Sequence, residues 1–290
     1  MRVLITGASG HIGSELSKFL AAQGFEIYAV AKENQPHFKE WADIDLAMPH
    51  FDFLPQWQPE VIIHLASRGA GKSKERSDLS IIDANYRMFK NLAGYIKRVR
   101  LFINFGSDLE YANAPDIYTE EYPVRPTDAY SLSKIMISSY AQLLYTLHRN
   151  IITIRPFSVY GLNDYNDRFV KMVFLKMLNN EDISVIEGER SFTYIKDVNN
   201  AILSIVNSKL PTNLTNNIFN LCAGTCYRFY EAAQSIKTET NSKSTILPTS
   251  QIDPRCCRGS NFKIKDTFNV QFKYPLEVAI RDMIHDKLEQ

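Results

Sequence analysis

Gly7, Gly10 and Gly13 stand directly behind the apolar run Val3-Leu4-Ile5, where a first strand must turn into a first helix. That placement restricts the fold more than any other feature of the chain. One glycine permits the tight turn, the next lets the backbone approach a diphosphate, and the third lets helix and strand pack closely. The helix that starts here offers unpaired N–H groups to phosphates. Gly7, Ser9, Gly10, His11, Ile12 and Gly13 are therefore candidate contacts for a dinucleotide.

Strand-like runs at 2–6, 26–31, 60–66, 101–106 and 151–156 alternate with helix-compatible segments near 11–23, 79–98 and 127–149. This alternation predicts an α/β fold, a Rossmann-type doubly wound parallel sheet with helices on both faces. Beyond Tyr160-Gly161 the rhythm loosens: a helical stretch near 166–180, short strands at 183–186 and 192–195, and helices near 197–208, 228–238 and 275–287. We expect residues 1–160 to form the dinucleotide domain, with C-terminal segments interleaved, and 161–290 a smaller C-terminal α/β substrate-binding lobe. The two are expected to share a cleft outside the carboxyl ends of the strands.

Lys+Arg 33 against Asp+Glu 32 leaves a formal charge of +1, so no whole-chain field draws in nucleic acid or an anionic membrane. No apolar run reaches the length of a membrane span and no leader pattern precedes the first strand, so a cytoplasmic protein is expected. Cys222, Cys226, Cys256 and Cys257 form no CxxC pair, and the histidines give no metal set; reduced structural thiols and no metal are expected. The cations of Lys97-Arg98-Val99-Arg100 fall at a predicted helix end, where they complement the dipole.

Tyr130 and Lys134 fall one turn apart on one face of a helix that starts after Asp128. A lysine so placed is expected to depress the tyrosine pKa toward neutrality, which suits a residue that exchanges a proton with a carbonyl or hydroxyl. The same spacing occurs at Tyr28/Lys32 and Tyr86/Lys90, but the first pair lies in a predicted strand and the second away from the expected cleft. Ser107, at the end of the strand Leu101-Phe102-Ile103-Asn104-Phe105-Gly106, can hydrogen-bond the oxygen that Tyr130 protonates, or simply cap its own loop.

Taken in order, Gly7/Gly10/Gly13, His64-Leu65-Ala66, Asn85, Ser107 with Tyr111, Tyr130/Lys134, and Arg155-Pro156-Phe157-Ser158-Val159-Tyr160-Gly161 resemble the extended short-chain dehydrogenase/reductase family. The likeness is to its nucleotide-sugar epimerases, dehydratases and 4-ketoreductases, and Gly188 to Val198 continue it. The resemblance implies that Ser107, Tyr130 and Lys134 are catalytic, and that Tyr130 and Lys134 also contact the cofactor, Lys134 holding the nicotinamide ribose. It implies Asp43 and Ile44 beside the adenine, and Leu65, Ala66, Ser67, Asn85, Pro156 and Val159 lining the cofactor groove. Arg190 matches a diphosphate-binding arginine, and Arg255 and Arg258 lie where relatives often carry another. Ser158 stands where many relatives have a substrate-contacting asparagine, and Ser67 replaces an alanine. A nucleotide-diphosphate sugar as substrate and a homodimer through segments 79–98 and 127–149 are expected on the same ground.

NAD-preferring relatives end the second strand with an aspartate, but here Ala31 holds that position with Lys32 behind it. No carboxylate repels a 2′-phosphate and a cation can pair with it, so NADPH is expected over NAD. NADPH in turn points to a reductase, since epimerases and dehydratases recycle bound NAD. The dehydratases also carry an Asp-Glu pair after the catalytic hydroxyl; Asp108 matches the first acid, whereas Leu109 takes the second position and Glu110 comes one residue late. The expected reaction is hydride transfer to C4 of a 4-keto-6-deoxy sugar, with substrate contacts from Ser107, Asp108, Tyr130, Ser158, Arg190 and Arg255. The alternatives are an NAD-recycling epimerase or dehydratase, and a non-catalytic NADP-sensing regulator, which loss of Tyr130 or Lys134 would mark. The basic loop Arg68 to Arg76 either closes over phosphates or is a solvated loop.

Overall fold

The computed structural model describes residues 1–48, 56–71 and 73–289. The expected strands and helices form, and β3 and β7 join them unforeseen, in chain order: β1 (Arg2–Thr6), α1 (His11–Ala22), β2 (Glu26–Val30), β3 (Phe38–Ala42), β4 (Val61–His64), α2 (Ser80–Ala93), β5 (Leu101–Phe105), α3 (Ala129–His148), β6 (Ile151–Pro156) and β7 (Ile218–Leu221). They build one sheet in the order β7-β6-β5-β4-β1-β2-β3. The neighbours from β3 to β6 pair in parallel, Ile5 opposite both Ala29 and Ile63. Thr153 donates to the Asn217 carbonyl and Phe157 to that of Leu221, four residues on along both strands, so β7 is parallel as well.

The order reverses at β1: the chain winds outward through β2 and β3, then returns to the other side for β4 to β7. Strands buried on both faces explain the near-continuous apolar runs, with Val3, Leu4, Ile5, Ile62, Phe102 and Ile103 all without exposure. On one face Leu4, Ile62 and Phe102 pack with Met88, Phe89 and Leu92 of α2 and with Ile137, Ala141 and Leu144 of α3. Among the described residues no helix is long and apolar enough to cross a membrane.

Two edge strands escape the periodicity. β3, Phe-Lys-Glu-Trp-Ala, is exposed over Lys39, Glu40 and Trp41, so burial imposes no alternation on it. β7 has only four residues, all buried. Arg100 lies close by in the sheet's own framework: its guanidinium donates to the carbonyls of Val206 (2.5 Å) and Ser208 (3.2 Å), capping the end of the helix Ile195–Asn207.

Contacts divide the chain into two units, the first being Met1–Ala112, Tyr122–Arg155 and Ile202–Phe219, the second Asn113–Glu121, Pro156–Ala201 and Asn220–Gln290. The second unit is built on the helices Phe169–Leu178, Phe229–Glu239 and Leu276–Leu288 and on the strand Ile183–Glu187, paired in parallel with Ile246–Ile252. Its core includes Val173, Phe174, Ala232, Ile236, Ala279, Ile280 and Met283.

Candidate active site

The glycine turn lies between β1 and α1, at the strand where the sheet order reverses. Gly7 has φ +70°, and a Cβ there would come within 2.8 Å of the Ala66 nitrogen, so only glycine fits the turn beside the loop after β4. A Cβ at Gly13 would collide with the Gly7 carbonyl. Gly10 is the N-cap of α1 and supplies no side-chain acceptor; no acidic residue sits in the first turn. His11, Ile12 and Gly13 form that turn, which leaves a helix end free to receive an anion. The cradle fits a dinucleotide diphosphate.

Further cofactor candidates of the first unit lie after β2, β3 and β4 and on α2. Leu65 and Ala66 are tied to β1, Leu65 through the Thr6 carbonyl and Ala66 through Thr6 Oγ1, each at 3.2 Å. Thr6 Oγ1 also shares a 2.8 Å hydrogen bond with His64 Nδ1, and burial, with the charge of Lys134, holds His64 down at about 3, a neutral brace. Ser9 Oγ accepts the Lys32 N–H at 3.4 Å, and Lys32 is exposed behind the buried Ala31. Asp43, exposed, and Ile44, half-buried, follow β3. Ser67 and Arg68 continue from β4, with the Ser67 hydroxyl donating to the Arg68 carbonyl. Asn85, fully enclosed on α2, accepts the Arg68 N–H (2.8 Å) and donates to the Arg68 carbonyl (3.1 Å) and to Ser133 Oγ (3.0 Å). Its amide is spent on bracing this loop between α2 and α3.

α3 starts on a reciprocal cap: Asp128 accepts the Ser131 N–H at 2.6 Å while Ser131 Oγ accepts the Asp128 N–H at 3.0 Å. This fixes Tyr130 and Lys134 in the first turns. Lys134 Nζ donates to the Phe105 carbonyl at the end of β5 (2.7 Å) and lies 5.6 Å from the centroid of the Tyr130 ring. Burial pushes Lys134 down to about 8, opposed by the charge of Glu110.

Tyr130 corrects an expectation. Lys134 does not bring the phenol toward neutrality; burial pushes it up to about 12, the charges of Asp108 and Glu110 add to this, and Arg76 and a hydrogen bond with Ser107 work against it. The phenol therefore carries its proton at neutral pH.

Ser107 caps the short helix Asp108–Glu110, accepting the Leu109 N–H at 3.1 Å and donating to Asp108 Oδ1 at 3.3 Å. It is thus both loop cap and partner of Tyr130. Glu110, without any exposure, accepts the Ser107 N–H (2.9 Å) and both Nε (3.0 Å) and a terminal nitrogen (2.7 Å) of Arg155. Burial disfavours the Arg155 charge, but Glu110 and Tyr111 outweigh it and hold the guanidinium ionised. Arg155 also stacks 4.5 Å from the Tyr111 ring centroid. Glu110 is therefore a brace under Ser107. Sequence reading placed it only as a late acid.

Pro156 ends β6; Val159, in the second unit, pairs with Thr193. Ser158 adopts φ +34°, a conformation uncommon for residues other than glycine. Arg190 pairs with Asp253 (2.6 Å) and lies 5.8 Å from the Phe229 ring centroid. Asp253 also accepts the Arg255 N–H at 3.0 Å, so one carboxylate gathers two of the candidate diphosphate residues within the second unit. In the basic loop Arg68 pairs with Asp45 at 3.2 Å, and Lys72 lies outside the described residues. All four cysteines are free thiols. Among the described residues His285, Asp286 and Glu289 come close enough to share an ion, at the C-terminal end of the helix Leu276–Leu288.

Residues 3–222 match the model of the NAD dependent epimerase/dehydratase family. CDP-abequose synthase of Yersinia pseudotuberculosis is 27% identical over 220 residues, 72% of this chain and 74% of that protein. UDP-glucuronic acid decarboxylase 1 of Danio rerio is 27% identical over 311 residues, 98% of this chain and 72% of that protein. Among solved structures, UDP-glucose 4-epimerase of Thermotoga maritima with UDP-glucose superposes with a TM-score of 0.87 at 19% identity, covering 100% of both chains.

Proposed function

The chain belongs to the NAD dependent epimerase/dehydratase family, and from that premise we propose that it reduces the C4 ketone of a nucleotide-linked 4-keto-6-deoxy sugar, with Tyr130 as proton donor. One observation carries this reading. The acid available at the site is Tyr130, held protonated beside Lys134 and Ser107, whereas the acid pair that dehydration needs is missing: Leu109 is apolar and Glu110 is locked onto Arg155.

The nicotinamide, when bound, supplies the hydride that reaches the ketone carbon. Ser107 Oγ turns its hydrogen from Asp108 to the substrate oxygen and orients the carbonyl. The Tyr130 O–H bond breaks as a new O–H bond forms on that oxygen, and Lys134 stabilises the phenolate left behind. The glycine turn and the open end of α1 hold the cofactor diphosphate. Arg190 and Arg255 take the diphosphate of the sugar nucleotide. Ala31 and Lys32 favour NADPH, and the exposed Met136, Leu143 and Leu147 of α3 support a homodimer.

The reaction needs Lys134 charged, and burial sets its titration at about 8. We therefore expect kcat/KM to be flat below that pH and to fall about tenfold per unit above it. Lys134→Arg should push the fall out of range; a profile unchanged by that substitution would separate Lys134 from the limb.

The test is NADPH consumption with freshly generated nucleotide-linked 4-keto-6-deoxy sugars, each run beside NADH. Stoichiometric oxidation with one of them, and a Lys32→Asp variant that loses NADPH at least tenfold more than NADH, are the expected results. A second reading, NAD-recycling epimerisation, draws on the likeness to the UDP-glucose 4-epimerase. Protein that purifies with NAD bound and interconverts nucleotide sugars without net oxidation would establish that reading and overturn the reductase.

A further inference from the structure

Arg76 sits in the short helix Ser73–Ser77. Its guanidinium carbon lies 5.7 Å from the centroid of the Tyr130 ring, and Nε donates to the Gly69 carbonyl at 3.4 Å. Gly69 has φ +80°, and a Cβ there would come within 2.8 Å of Ile81 Cδ1 and 3.3 Å of Tyr130 Cδ2. The turn is thus pressed between α2 and the tyrosine, and it holds the arginine by a backbone carbonyl. Asn85 braces the start of the same turn through both backbone groups of Arg68. Lys134 approaches the ring to 5.6 Å from α3 itself, so cations from two elements lie against one ring.

We propose that Arg76 is a positioning residue for Tyr130: its guanidinium steadies the ring and supplies a positive charge that sets how readily the hydroxyl gives up its proton. This rests on the acid role of Tyr130 proposed above. The groups whose charge acts on the phenol are Arg76 and, from the segment after β5, Asp108 and Glu110, Glu110 being engaged by Arg155 of β6, while Lys134 of α3 lies against the ring. Ser107 adds a hydrogen bond. Burial and the two carboxylates favour the neutral phenol, and Arg76 opposes all three. As the proton leaves, negative charge appears on the tyrosine oxygen in a buried site, where a fixed cation counts more than in water.

The phenol can be read directly. The full chain carrying Tyr130→3,5-difluorotyrosine, whose phenol titrates near neutral pH, is followed by fluorine NMR with Arg76 native or replaced by Met or Lys. Arg76→Met should raise the midpoint by about one pH unit, a tenfold change in phenolate fraction, and Arg76→Lys should restore most of it. Coincident midpoints in the three proteins would overturn the proposal. Should the Met variant not fold, Arg76→Gln, which keeps a donor for Gly69 without the charge, gives the same comparison. The titration uses neither sugar nor nicotinamide. A moved midpoint with no turnover on any 4-keto sugar leaves the role of Arg76 standing and removes the reductase; turnover with an unmoved midpoint does the reverse.

Discussion

Tyr130→Phe should lower turnover about 10²–10⁴-fold, the usual contribution of a placed general acid, while cofactor affinity stays within about twofold, too little to alter an interaction energy appreciably. The substitution deletes one oxygen and leaves the ring in place over Gly69, with Arg76 and Lys134 as before. Cofactor is expected to contact Lys134, the glycine turn and the loop after β4, none of which the hydroxyl supports. Steady-state reduction of a 4-keto sugar and a fluorescence titration with NADPH measure the two quantities separately. Near-normal turnover would remove Tyr130 from the acid role. A large loss of NADPH affinity would mean that the hydroxyl holds cofactor instead. Because burial keeps the phenol protonated up to about 12, reduction needs no prior loading of the proton. The reverse oxidation, which needs the phenolate, should be slower at neutral pH.

The parts of this site that could be read from the chain are those that local geometry dictates. The glycine turn follows its strand directly, and Tyr130 and Lys134 are set one helical turn apart behind an Asp128/Ser131 cap. The central strands announce themselves because burial on both faces demands apolar residues throughout. β3 carries no such demand at its exposed edge, and β7 is too short to show a period. The titration of Tyr130 is hidden from the sequence for a related reason: spacing reveals that a lysine is near but not how completely the ring is enclosed, and here enclosure wins. Nothing in the sequence distinguishes Arg76 from the other cations of its loop, since it is the turn at Gly69 that brings it to the ring. Glu110 and Arg155 are 45 residues apart and meet only because β5 and β6 are adjacent in the sheet. No periodicity joins them.

Glu110→Ala should therefore cost about 3–5 kcal/mol of stability, because it strands the Arg155 charge, only 2% exposed, in the interior. Urea unfolding measures this, and a loss below about 1 kcal/mol, the range of exposed pairs, would show that the pair is not the brace described. Glu110→Leu combined with Arg155→Met removes both charges and should recover much of the loss, since apolar replacements of buried pairs are often neutral or better. Recovery will be incomplete, because the Ser107 N–H that Glu110 accepts is then left without that partner, at a cost of about 1–3 kcal/mol. Turnover should not recover with stability. Ser107 loses the carboxylate that fixes its backbone, and the hydroxyl aimed at the substrate oxygen is released with it. A double variant that is stable yet poorly active would separate the two effects of Glu110, holding the fold and aiming Ser107. Full activity in that variant would instead make the pair a matter of folding alone.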